Sequence, residues 1–173
     1  MAQPSPQANA ALTAAGADAS GRGALLLLWS GAVGWLVVAS VCQLLSSVQL
    51  HAPSFLADSA WLTHGRMQTA AVQAWVYGFG LPSGLGAALW LLVRLGRTRL
   101  EWPGAAAAGA LLWNIADLVG VLRILAGDGT GYEGFEFPPD AALLLFVAYG
   151  LVGSSALETF RWRHGESLRP SQW

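Results

Sequence analysis

Few residues in this chain could do chemistry, and most of them sit where charge is costly. Asp117 lies near the middle of a long apolar run, and Asn114 precedes it by one turn on the same helical face. A carboxylate at that depth costs about 3 kcal/mol on insertion scales, so it is expected to face protein or water. Two roles suit it. One is a proton-relay carboxyl or a hydrogen-bond partner for a cofactor. The other is a neutral interhelical clamp, with Gln73 or Gln43 as its partner. Arg123 falls on a different face from Asp117, so an ion pair within that helix is not expected. Its long stem can snorkel toward the headgroups.

The three histidines are scattered. His164 lies in a soluble tail and His51 at the end of the first apolar run. His64 stands two residues before Arg66, at the mouth of the second run. An imidazole there suits either an interfacial hydrogen bond or ligation of a haem iron. No two histidines are spaced to share a helical face, so no multi-histidine metal site is expected. No nucleophile–base pair, glycine-rich phosphate loop or paired-cysteine motif is present. Cys42 is the only cysteine and lies in an apolar run, so it reads as a small buried hydrophobe.

The elements that must position these groups follow from composition. Of 173 residues, 54% are hydrophobic and 11% charged, with nine Trp and no Lys. Soluble domains carry about 25% charged residues, so this chain reads as one whose solvent is a bilayer. A net charge of -1 points neither to nucleic acid nor to a polybasic membrane-surface role. Residues 1–23 are Ala-, Pro-, Gln- and Ser-rich and are expected to be a disordered polar tail.

Four apolar runs follow, at about 24–49, 66–95, 104–127 and 141–160, and residues 161–173 form a basic tail. Each run reaches the ~20 residues needed to cross ~30 Å of hydrocarbon. The fold class is therefore all-α, an integral membrane four-helix bundle. Pro82 removes a backbone donor inside the second run, which a bilayer tolerates where a neighbouring helix covers the freed carbonyl.

Arginine sets the expected orientation. Arg22, the cluster Arg94, Arg97 and Arg99, and the cluster Arg161, Arg163 and Arg169 share one side of a four-span chain. Positive residues favour the inside, so both termini are expected in the cytoplasm and the chain in the inner (cytoplasmic) membrane. Trp29, Trp61, Trp102 and Trp162 fall near run ends, as an interfacial belt would, while Trp75, Trp90 and Trp113 lie deeper.

Three stretches together resemble a known family. H-A-P-S-F-L-A-D-S-A-W-L-T-H-G-R-M-Q (51–68), Q-A-W-V-Y-G-F-G-L-P-S-G-L-G-A-A-L-W-L-L-V-R-L (73–95) and G-Y-E-G-F-E-F-P-P-D (131–140) are similar to subunit I of cbb3-type cytochrome c oxidases, a branch of the haem–copper oxidases. That subunit has many more helices, and this chain matches its first four. The helices bearing the active-site haem and copper ligands have no counterpart here. The family's low-spin haem histidine falls on Ala71. His64 lies seven residues earlier, on nearly the same face but ~10 Å higher. The resemblance implies that His64 could ligate a haem b only with a shifted register, and that Arg66 could meet a haem propionate or an anionic headgroup.

The expected function is thus a split or truncated membrane subunit of an oxidase-like respiratory complex in aerobic electron transport, itself not catalytic. Its small residues (Gly78, Gly80, Gly84, Gly86 and Ala105 to Ala108) would dock it to other membrane subunits. Any haem b would be held by this chain or shared with such a partner. The alternative is a haem-free scaffold or assembly protein derived from that fold, favoured by Ala71. A small transporter lined by Asp117 and Asn114 is a third reading, weakened because no inverted repeat is visible.

Overall fold

The computed structural model describes residues 6–96 and 98–162. The expectations on Arg97, His164 and the basic tail beyond 162 lie outside the described residues. Four long helices account for the fold. Helix α1 is Pro6–His51; α2 is His64–Gly96, α3 is Pro103–Ala126 and α4 is Pro139–Arg161. All four are long and apolar enough to cross a membrane, and no strand occurs among the described residues. Each of the four expected apolar runs falls within one of these helices, apart from a residue or so at the ends.

One expectation differs. Residues 1–23 were expected to be disordered, yet α1 already begins at Pro6 and runs for 46 residues. At 1.5 Å per residue that is about 69 Å, more than twice the hydrocarbon thickness. The physical reason is helix propagation. The segment is rich in alanine, the best helix former. It also continues a turn already nucleated by the membrane span, so it bears no nucleation cost of its own.

The helices pack antiparallel, up and down, which gives the bundle two unlike ends. The loops 52–63 and 127–138 sit together at the paired-loop end. Residues 98–102 meet the N-terminal half of α1 and the last turns of α4 at the single-loop end. There Ser20 accepts a hydrogen bond from the Leu100 amide at 2.9 Å, and Thr159 accepts one from the Glu101 amide at 2.9 Å. Ser155 donates to the Glu101 carbonyl. Ser155 and Thr159 are fully buried, so these hydroxyls satisfy loop backbone that lipid could not.

Steps of three and four residues set the buried seams. On α1 the seam is Ala24, Leu28, Ala32, Trp35, Ala39, Cys42, Ser46 and Gln49; on α4 it is Ala141, Leu145, Ala148, Val152, Ser155 and Thr159. Small residues dominate both, which lets backbones approach closely where lipid gives little apolar drive for association. The outward faces are apolar as well. Val33, Val37, Val41 and Leu44 on α1, and Leu143, Phe146, Val147 and Leu157 on α4, are exposed. A helix apolar on both faces belongs in hydrocarbon.

Helix α2 changes register midway. It is α-helical over His64–Gln73, π-helical over Ala74–Gly80, and α-helical again over Leu81–Gly96. The Leu81 amide bonds the Val76 carbonyl, five residues back. In that register the amide of residue 82 would serve Tyr77, but residue 82 is proline and has none. The Tyr77 carbonyl is therefore left for another helix to satisfy.

Candidate functional site

The polar groups singled out by sequence gather at the paired-loop end and in the half of the bundle below it. The freed Tyr77 carbonyl accepts a hydrogen bond from the indole Nε1 of Trp113, on α3, at 2.8 Å. Pro82 thus has the covering neighbour expected for it. Tyr77 in turn donates from its hydroxyl to the Gly134 carbonyl at 3.2 Å, and its ring packs on Phe137 with centroids 5.2 Å apart. The 127–138 loop is folded back onto α2 by these contacts.

Gln73 is fully buried. Its Nε2 donates to Glu136 Oε2 at 2.7 Å, and Asp117 accepts no hydrogen bond from it. Its Oε1 is buried without a partner. Glu136 lines a polar cleft of about 220 Å³ together with Arg66, Thr69, Gly127 and Gly131. Glu136 was not singled out from sequence. Its only signal was an acid set between aromatics, in F-E-F-P-P at 135–139.

Arg66 caps the end of α3. Its Nη1 donates to the Ala60 carbonyl at 2.7 Å and the Leu125 carbonyl at 3.0 Å. A cation at a helix C-terminus also meets the negative end of the helix dipole. Gly127 ends α3 in the left-handed region, φ 107°, directly beneath the guanidinium.

Asp117 is fully buried, and neither carboxylate oxygen has a hydrogen-bond partner. Both clamp partners considered from sequence are elsewhere. Gln73 is bonded to Glu136, and Gln43 is exposed on the outer face of α1. Asn114 turns toward α1, where its Oδ1 accepts from the Trp35 indole at 3.2 Å and its Nδ2 donates to the Ala110 carbonyl at 2.9 Å. Asn114 and Asp117 share a helical side yet serve different neighbours. Arg123 is held at the surface by Asp128 at 2.8 Å and Asp140 at 2.9 Å.

His64 is exposed at the start of α2 and is tied to α1 through Ser46. Its Nδ1 lies 2.9 Å from the Ser46 hydroxyl and 3.0 Å from the Ser46 carbonyl. That hydroxyl gives its proton to Gln68 Oε1 at 3.1 Å. Both atoms facing Nδ1 are then acceptors, so on this assignment Nδ1 carries the proton and Nε2 keeps its lone pair. A ligating histidine is commonly set this way, with its second nitrogen on a backbone carbonyl. His51 bonds its own helix at Ser47.

Two further cavities flank the bundle. An aromatic groove of about 390 Å³ is lined by Tyr77, Trp113, Phe135, Phe137, Phe146 and Tyr149 among others. A cleft of about 300 Å³ between α1 and α2 is lined by Leu36, Ala39, Ser40, Gln43, Ala71, Val72 and Trp75. Ala71, the position of the resembling family's low-spin haem ligand, opens into this second cleft, and none of its lining side chains is a haem-iron ligand. His64 lines none of the three cavities.

No protein-family model matches the chain. No curated protein matches it either.

Proposed function

We propose that the chain is a non-catalytic membrane subunit of an oxidase-like respiratory complex, of the cbb3 type its sequence resembles. Its cleft between α1 and α2 receives a helix of a partner subunit. The observation that carries this reading is Gln43. Its amide is exposed at membrane depth, beside Ser40, on the rim of a cleft floored by Ala39 and Ala71. A primary amide facing acyl chains would lose its hydrogen bonds, whereas a helix in the cleft can supply them and pack closely over small residues.

In this reading the bundle end bearing Arg22, Arg94, Arg99 and Arg161 faces the cytoplasm, and the membrane is the cytoplasmic one. The second reading is a haem-free scaffold or assembly protein. Ala71 favours it, because the position that would hold the low-spin haem carries a methyl group. The two differ in what accompanies the chain.

Gentle extraction from its native membrane, with mass spectrometry of what co-purifies and a reduced-minus-oxidised optical spectrum, separates them. Stoichiometric capture of haem- and copper-bearing membrane subunits supports the oxidase reading. Capture of such subunits only before the complex matures supports an assembly role. A chain that purifies alone and colourless from native membranes would remove the oxidase reading. Reporter fusions at the 52–63 loop and after Arg161 test the orientation.

A further inference from the structure

Asp117 lies on the face of α3 that meets α2, and α2 carries Gln73, which in turn holds Glu136 of the 127–138 loop. One turn from Asp117 toward the single-loop end, Trp113 reaches the Tyr77 carbonyl. One turn toward the paired-loop end, a methyl added at Gly120 would meet the Phe137 ring at 2.7 Å. Asp117 lies about 40° round the helix from Trp113, on the Asn114 side, so it faces α2 at the level of Gln73 and the seam α2 makes with α1. Gln73 turns its Nε2 toward Glu136, so its Oε1 is directed away from that carboxylate. Gln73 Oε1 and both Asp117 oxygens are buried acceptors with no donor.

No cation answers them among the groups in reach. Arg66 is committed to two backbone carbonyls. Arg123 is committed to Asp128 and Asp140, and the Tyr77 hydroxyl to Gly134. The Trp113 indole stands near Asp117 but gives its N–H to Tyr77, so three buried acceptors are left that call for protons and water. Glu136, which holds Gln73, also lines the 220 Å³ cleft at the paired-loop end. Toward the single-loop end, Asn114 is committed to Trp35 and Ala110, and beyond it the packing is apolar, with Leu28, Leu89, Ala106, Ala110 and Val152 buried together.

We propose that Glu136, Gln73 and Asp117 form a proton-conducting column that runs from the paired-loop cleft to mid-membrane and loads Asp117 from that side. A proton passes from cleft water to the Glu136 carboxylate, then through interior water to the Asp117 carboxylate. Glu136 is left ionised again. The Gln73 amide orients that water and carries no net proton. No bond other than O–H forms or breaks. Asp117 lies about ten residues, or ~15 Å, from the end of α3, half the depth of the hydrocarbon. This proposal does not depend on which complex the chain joins.

The test is infrared difference spectroscopy of the full chain in lipid nanodiscs, on pH change and on transfer to deuterated water. The expected result is a protonated-carboxyl band that is absent from Asp117→Asn. Its deuteration should slow by about a hundredfold or more in Glu136→Gln, the scale on which a positioned proton-transfer group acts, and by less in Gln73→Leu, which removes only an orienting amide. Absence of any Asp117-dependent band would overturn the proposal. So would deuteration at the wild-type rate in Glu136→Gln, or a band that moves with sodium at fixed pH, which would mean a cation site. Should Asp117→Asn fail to insert, the comparison of wild type with Glu136→Gln still decides.

Discussion

The indole Nε1 of Trp113 donates to the backbone carbonyl of Tyr77 at 2.8 Å, across the interface between α2 and α3. This one bond reconciles a proline with a membrane span. Pro82 and the π-helical register of Ala74–Gly80 together leave that carbonyl without an intrahelical partner. Within hydrocarbon an unpaired carbonyl is expensive, and the tryptophan makes the irregular turn tolerable.

A double-mutant cycle follows. Trp113→Phe keeps an aromatic ring but removes the donor, and should lower unfolding stability in micelles by about 1–3 kcal/mol, the cost of one unsatisfied buried group. Pro82→Ala restores an amide at residue 82. In the Trp113→Phe background it should recover part of the loss, while in the wild type it gains little. Strict additivity of the two changes would show that Trp113 and residue 82 do not serve the same carbonyl.

The four spans were legible because hydropathy over twenty residues needs no tertiary information. That Pro82 frees a carbonyl was legible too. Which carbonyl is freed depends on the π register, which no residue pattern announced. The partner of Asp117 was sought in Gln73 or Gln43 because both lie in neighbouring spans. Gln73 instead meets Glu136, 63 positions away. That contact depends on a loop shaped by Gly131 and Gly134 at positive φ, φ 77° and 83°. Loop conformation carries no periodic signal. The helical N-terminal segment was missed for another reason. Absence of an apolar core argues against a globular unit, but not against an alanine-rich helix continued from a membrane span.

The glycines of α1 and α2 should divide sharply when substituted. A Cβ at Gly78 would lie 2.6 Å from Trp35, and one at Gly86 2.5 Å from the Trp29 indole. Gly78→Ala and Gly86→Ala should each destabilise the bundle by about 1–3 kcal/mol through overpacking. At Gly34 and Gly84 a methyl meets open space. Alanine there should be neutral or stabilising by about 0.5–1 kcal/mol, since helical glycine forfeits backbone entropy. Thermal unfolding in one detergent, across all four variants, checks the contrast. Uniform losses would mean that the Trp35 and Trp29 contacts do not set helix spacing.

Arg66 and Gly127 form a second coupled pair. Arg66→Ala should lower stability by about 1–2 kcal/mol, because the Leu125 carbonyl loses its donor and the end of α3 its counter-charge. Gly127→Ala carries two costs, a left-handed φ of 107° and a Cβ 2.6 Å from Arg66 Nη2. Only the steric part vanishes in the Arg66→Ala background. The double variant should therefore be more stable than the sum of the single losses allows. Urea titration of purified, micelle-bound protein measures it, and a purely additive result would place the guanidinium elsewhere.

The cleft between α1 and α2 separates docking from folding. Ala71 is packed beside Met67 and Cys42 yet opens into the 300 Å³ space beneath Gln43. Gln43→Leu removes the exposed amide without touching the bundle's own contacts. In the proposed subunit role it should leave unfolding stability within about 0.5 kcal/mol of wild type, as exposed substitutions usually do. It should nonetheless reduce co-purification of partner subunits several-fold, because a helix seated in the cleft would lose its hydrogen-bonding anchor. Ser40→Ala, on the same rim, removes only a hydroxyl that already bonds the Leu36 carbonyl at 2.7 Å. That variant should have the smaller effect on capture. Equal capture by wild type and Gln43→Leu would move the partner away from this face, leaving the amide to an interfacial role in the headgroup region.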